Sequence, residues 1–213
     1  MKQLKLILVV LFAIKAFTAI ASETIAIHVE TAGTLSMFIR ESKKYQITNL
    51  KLTGNLDSRD IRLIRDMAGR DYMGNATSGK LTTLDLSGAN IVSYRVTVYN
   101  SSRSSSDNST CYYYSYDCAV NYHYYYHTTD NRISDRMFLS TKLTSITIPN
   151  SVTSIANGAF EGGVALKELH VRSLTPPDLG NNSFDCKLYI PKGSLQAYKH
   201  ATGWREFTCI VEE

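Results

Sequence analysis

Four side chains in one stretch have the types that bind a metal: Cys111, Cys118, His123 and His127. Thiolates and imidazoles are zinc donors, and a structural zinc site takes four of them. Their spacing, C-x6-C-x4-H-x3-H, departs from the C-x2-4-C knuckle of the common fingers. A Cys111–Cys118 disulfide beside two solvated histidines is the preferred reading, and no metal or cofactor is expected. Pairing those neighbours leaves Cys186 with Cys209, and free thiols are the alternative for both pairs. Catalytic constellations are absent from the sequence: there is no G-x-S-x-G, no H-E-x-x-H and no phosphate-cradling glycine loop. His28 near the start and His200 near the end have no evident nucleophile beside them. No enzymatic activity is expected.

The same stretch offers a different chemistry. Eight of the 14 tyrosines are Tyr112, Tyr113, Tyr114, Tyr116, Tyr122, Tyr124, Tyr125 and Tyr126. A serine-rich run, Ser101-SRSSSDNS, precedes them. Tyrosine gives large contact area at low entropic cost, and serine gives adaptable hydrogen bonding, the mixture found in antibody paratopes. The segment from 93 to 131 thus reads as an insertion. It is either a recognition loop or a tyrosine-rich hairpin packed on the edge of the fold.

The elements that must carry this insertion repeat along the chain. Ile133-SDR-Met137-Phe138 reaches Leu143; Ile155-ANG-Ala159-Phe160 reaches Leu166; Leu179-GNN-Ser183-Phe184 reaches Leu188. Each of these leucines opens a short alternating segment, namely Leu143-TSITIP, Leu166-KELHVR and Lys187-LYIP. Ile47-TNLKLTG and Leu81-TTLDLSG fit the same L-x-x-L-x-L template. Alternate side chains of a strand face opposite ways, so one strand cannot bury its aliphatic row alone. Stacking five in parallel gives a continuous core, and the expected fold is an α/β leucine-rich-repeat solenoid.

Stacking in register predicts rows on the outer face of the sheet. The middle row would be Lys51, Asp85, Thr147, His170 and Tyr189. Asn49, Thr83, Ser145 and Glu168 would flank it on one side, and Thr53, Ser87 and Arg172 on the other. Such a polar, mixed-charge face suits a protein or glycan partner, though a solvated outer face reads the same way. The ends read as caps. Thr34 would N-cap a short helix bearing Leu35, Phe38 and Ile39. Asp57 or Ser58 would start a helix bearing Ile61, Ile64 and Met67, stopped by Gly69. A helix over Ser194 to Ala201, closed by Gly203, and a strand from Phe207 would finish the chain. Trp204 is expected to pack on the last coil.

These residues resemble the BspA-like leucine-rich-repeat family of bacterial surface proteins. LTSITIPNSVTSIANGAF (Leu143–Phe160) is similar to the family's repeat. CKLYIPKGSLQAYKHATGW (Cys186–Trp204) is similar to a closing segment of the gut Bacteroides branch, and Tyr45–Gly69 and Leu81–Ile91 also fit that branch. The resemblance implies export and non-catalytic binding, such as adhesion to host matrix proteins. No family-wide ligand residue maps onto this chain.

Met1–Ala21 reads as a secretory signal peptide, with Lys2 and Lys5, an apolar run Leu6–Ile14, and the small-x-small site Ala19-Ile20-Ala21. The chain carries 23 Lys and Arg against 19 Asp and Glu, a net +4, and loss of the leader removes three lysines and no acid, leaving +1. That is no field for nucleic acid, and no nucleic-acid partner is expected. The rest of the chain, 22–213, reads as one domain with no transmembrane segment and no cysteine placed for lipid attachment. The expected destination is secreted, surface-bound or periplasmic. The function expected is adhesion to a host or neighbouring-cell macromolecule, and the alternative is a structural spacer of the bacterial envelope.

Overall fold

The computed structural model describes residues 23–94, 128–162 and 166–213. Residues 1–22 and the tyrosine-rich core of the insertion, including Cys111, Cys118, His123 and His127, lie outside the described residues. Ten strands occur among them: β1 (Thr24–Val29), β2 (Asn49–Leu56), β3 (Thr83–Ile91), β4 (Arg132–Ile133), β5 (Ser145–Ile148), β6 (Ser154–Ile155), β7 (Glu168–Val171), β8 (Asp178–Leu179), β9 (Lys187–Ile190) and β10 (Ile210–Glu212). They form a seven-stranded sheet in the order β1-β2-β3-β5-β7-β9-β10 and a three-stranded sheet in the order β4-β6-β8. Every pairing within both sheets is parallel.

The expected aliphatic ladder is present. Ile25, Leu50, Leu84, Ile146, Leu169, Leu188 and Ile210 stand level on successive strands. Leu84, Ile146, Leu169 and Leu188 have no exposed surface. They belong to one hydrophobic cluster that runs through the coils. The repeated aliphatic position marks the second sheet: Ile133 pairs with Ile155, and Ile155 with Leu179. The repeated phenylalanine marks a ring column. Phe138 and Phe160 stack at 5.6 Å, Phe160 meets Phe184 at 5.7 Å, and Phe184 meets Phe207 at 5.1 Å.

Backbone bonds step from coil to coil beside this column. The Phe138 amide donates to the Ala159 carbonyl, and the Gly158 amide to the Asn181 carbonyl, both at 2.8 Å. Each coil thus satisfies its neighbour's polar backbone, which an isolated coil would leave bare.

The sheet has two strands beyond the five repeats. β10 continues the expected C-terminal strand, beginning at Ile210 rather than Phe207. β1 was not anticipated. It takes the place assigned to a capping helix: the stretch Leu35–Met37 is a single 3-10 turn, and the Thr34 hydroxyl donates to the Thr31 carbonyl instead of capping it. The chain leaves after one turn, so the stripe an α-helix would form never develops. Leu35 and Ile39 turn inward while Phe38 stays 55% exposed.

The second helix is as its sequence suggests. α1 (Ser58–Met67) starts at Asp57, whose side chain accepts from the Arg59 amide, while Asp60 reaches back to the Asp57 amide. Ile61, Ile64 and Met67 face the core, and Gly69 exits in the left-handed region at φ 91°. α2 (Leu195–His200) follows Ser194, whose hydroxyl donates to the Pro191 carbonyl and makes no cap bond. Trp204 is fully buried, donates from Nε1 to the Pro177 carbonyl at 2.7 Å, and packs against Tyr198 and Phe207.

Candidate binding face

A strand buried on one side must turn its alternate side chains away from the core. On the outer side of the large sheet, Lys51, Asp85, Thr147, His170 and Tyr189 stand level on five neighbouring strands. Ala26 and Val211 extend this row to both edges. A second row runs Thr24, Asn49, Thr83, Ser145, Glu168 and Lys187. The third row is broken. A bulge in the β2–β3 pairing sets Gly88, not Ser87, opposite Thr53. A Cβ on Gly88 would lie 2.7 Å from Thr53 Cγ2, so the close approach uses the missing side chain. Ser87 instead turns its amide to Asp85 at 2.8 Å.

Two charged clusters lie on this face, with the neutral Ser145 and Thr147 of β5 between them. In the first, Lys51 Nζ is 2.9 Å from Asp85 Oδ2. Burial pushes the Asp85 carboxyl up, but hydrogen bonds from Ser87 and Lys51 outweigh it and hold the group below its ordinary range. In the second, Glu213 Oε1 meets His170 Nδ1 at 2.9 Å and Arg172 Nη1 at 2.8 Å. Glu168 approaches the other ring nitrogen of His170 at 3.7 Å. The His170 and Tyr189 rings stack at 4.3 Å, 8° from parallel. This arrangement holds planar donors, acceptors and a phenol on rigid strands. It can make oriented hydrogen bonds and ion pairs with a ligand.

Two participants escaped the sequence reading. His28 lies level with Thr53, bonds its hydroxyl at 2.9 Å, and reaches Glu30 at 3.0 Å with the other nitrogen. The alternation in TIAIHV was the available signal. Glu213 could not be found by pattern, because it reaches across β9 to β7 from beyond the last strand. His200 lies in α2, with its ring bonded to the Gln196 carbonyl at 2.7 Å.

The insertion leaves and returns at one point beyond the end of β3. The Tyr94 amide donates to the Thr128 carbonyl, and the Asn131 amide to the Ile91 carbonyl. The Arg59 guanidinium sits 4.3 Å over the Tyr94 ring and steadies that stem. The eight tyrosines of the expected recognition loop lie outside the described residues.

Cys186 and Cys209 are free thiols, the alternative left open for this pair. Ile210 stands level with Leu188, so the two cysteines just before them are one register step apart. Burial pushes the Cys186 thiol up to about 12. Among the described residues, no trio of His, Cys, Asp and Glu converges as metal ligands would. Among them, too, no helix is long and apolar enough to cross a membrane.

Comparison with known proteins fits this architecture. No curated protein matches the chain. A family model described as the BspA type leucine rich repeat region matches residues 116–209 in six copies. The match spans the ladder from the insertion to the last coil, and over that span the chain is similar to the BspA-type leucine-rich-repeat proteins.

Proposed function

We propose that this chain is an exported, non-catalytic binding module that holds a protein or glycan of a host or neighbouring cell. The observation that carries the reading is the level outer row of Lys51, Asp85, Thr147, His170 and Tyr189 on strands fixed by a common core. Rigid strands present these groups at little ordering cost, which favours binding. The leader-like Met1–Ala21 supports export. The tyrosine-rich insertion, rooted at Tyr94 and Thr128, serves as a second contact.

The test is a matrix-protein panel and a glycan array probed with the chain from Ser22. Three variants run beside it: His170→Ala, Tyr189→Ala and deletion of Ser101–His127. Binding that falls at least tenfold in the face variants, with unchanged circular dichroism, supports the face. Loss only on deletion moves the site to the insertion. A chain that binds nothing on either panel is better read as an envelope spacer.

A further inference from the structure

The two edges of the large sheet are not alike. At one edge, β10 is three residues long, and Glu212 occupies the place in the aliphatic row that Ile190 holds on β9. Its carboxylate accepts from the Gly193 and Leu195 amides at 2.8 and 3.0 Å. A charge set into the core row of a short edge strand is a known guard against further pairing. At the other edge, β1 is six residues long and alternates Ile25, Ile27 and Val29 on the core side. Its central residues carry no charge and no proline. Ile25 is 39% exposed although its partners Leu50 and Leu84 are buried. The same first coil exposes Met37 at 81% and Phe38 at 55%. Among the described residues no strand pairs with its outer side, and a long apolar edge is the type that pairs with another strand.

We propose that β1 is the interface of a two-fold dimer, in which β1 pairs antiparallel with β1 of a second copy and joins two seven-stranded sheets into one. The occupant follows from the asymmetry of the edges. Because β10 is guarded, the free edge a second copy can offer is its own β1, and that makes the contact isologous. The register follows from the side chains. With Ala26 opposite Ala26 on the axis, both cores lie on the same side of the joined sheet. Ile25 then faces Ile27 of the second copy, Thr24 faces His28, and Glu23 faces Val29, so no two like charges stand opposed. Ile25 and Ile27 of both molecules then meet in one apolar row, bounded at each end by Glu23, and Ile25 is covered. The proposal goes beyond the binding reading and does not depend on it. Two linked faces would bind a multivalent surface with added avidity.

Sedimentation velocity on the full chain and on the chain from Ser22, across a wide concentration range, tests it. The expected result is a monomer–dimer equilibrium that Ile25→Glu abolishes and Val211→Lys leaves intact. Ala26→Cys gives a positive signal that does not depend on how well Ile25→Glu folds. Opposed residues of an antiparallel pair have Cα atoms about 4.5 or 5.5 Å apart, within the roughly 4.4–6.8 Å reach of a disulfide. Mild oxidation should therefore join residue 26 to residue 26, as peptide mapping would read, while Val211→Cys yields no such product. Monomer at every concentration in both chains overturns the proposal. So does a dimer that persists in folded Ile25→Glu, or a growing series of oligomers lost in Val211→Lys, which would mean head-to-tail stacking through β10. A dimer of the full chain that vanishes in the chain from Ser22 also overturns it, because the leader would then be the contact.

Discussion

Asp60 ties the first coil to the second through two backbone amides and closes the start of its own helix through a third. Its carboxylate, nearly inaccessible, accepts from Gly33, Leu35 and Asp57 at 2.6, 3.0 and 3.0 Å. Burial pushes this carboxyl up, and the three amide bonds recover only part of the shift. Removing the acceptor is worse than the burial it relieves, because buried amides are left bare. Asp60→Ala should lower stability at pH 7 by about 3 kcal/mol, read from urea melts. Asp85 works in the opposite sense. Its carboxyl is held below the usual range, so its contribution is present above the unfolded pKa and is lost as pH falls through the folded value. Asp85→Asn should be less stable than the parent at neutral pH. It should also lose less stability than the parent as pH falls below the unfolded value of about 4, which urea melts at stepped pH would show.

At the scale of the coil, the phenylalanine column couples what the strands alone do not. Phe160 touches Phe138 on one side and Phe184 on the other, and is almost fully buried. Phe160→Ala opens a cavity between two coils and removes two ring contacts, so a loss of about 4 kcal/mol is expected in thermal and urea melts. This column, with the level leucines, was legible in the sequence because both recur at a nearly fixed interval. The middle outer row from Lys51 to Tyr189 was legible for the same reason: once the leucines are level, the residues between them must be. Three features were not. β1 lacks the L-x-x-L-x-L signature, and its Ala26 weakens an otherwise regular alternation. The bulge at Gly88 depends on Thr53 coming close from another strand, which no local pattern encodes. The turn at Leu35 shares its i, i+3, i+4 spacing with a helix, and only the return path from β1 decides between them.

For the molecule as a whole, the question is whether coils melt together or one by one. Linear repeat arrays have stability in nearest-neighbour terms, so a long array can fray from its ends. This one is short, and a single hydrophobic cluster links Leu35 in the first coil to Trp204 in the last. Neighbouring coils share the Ile and Leu ladder and backbone bonds from coil to coil, joined from Phe138 onward by the phenylalanine column, and a coil stripped of its neighbour loses these together. Interface energy therefore outweighs what a coil holds alone, and unfolding should be one transition. Trp204 is the sole tryptophan and is fully buried at the C-terminal end, so its emission reports that end alone. Leu35→Ala, made at the opposite end, should move the urea midpoint of Trp204 emission as far as that of far-ultraviolet circular dichroism, at a cost of about 3 kcal/mol. If the emission midpoint stays fixed while the dichroism shifts, the ends are uncoupled. The face spanning all seven strands would then no longer be the rigid platform that a shared core provides.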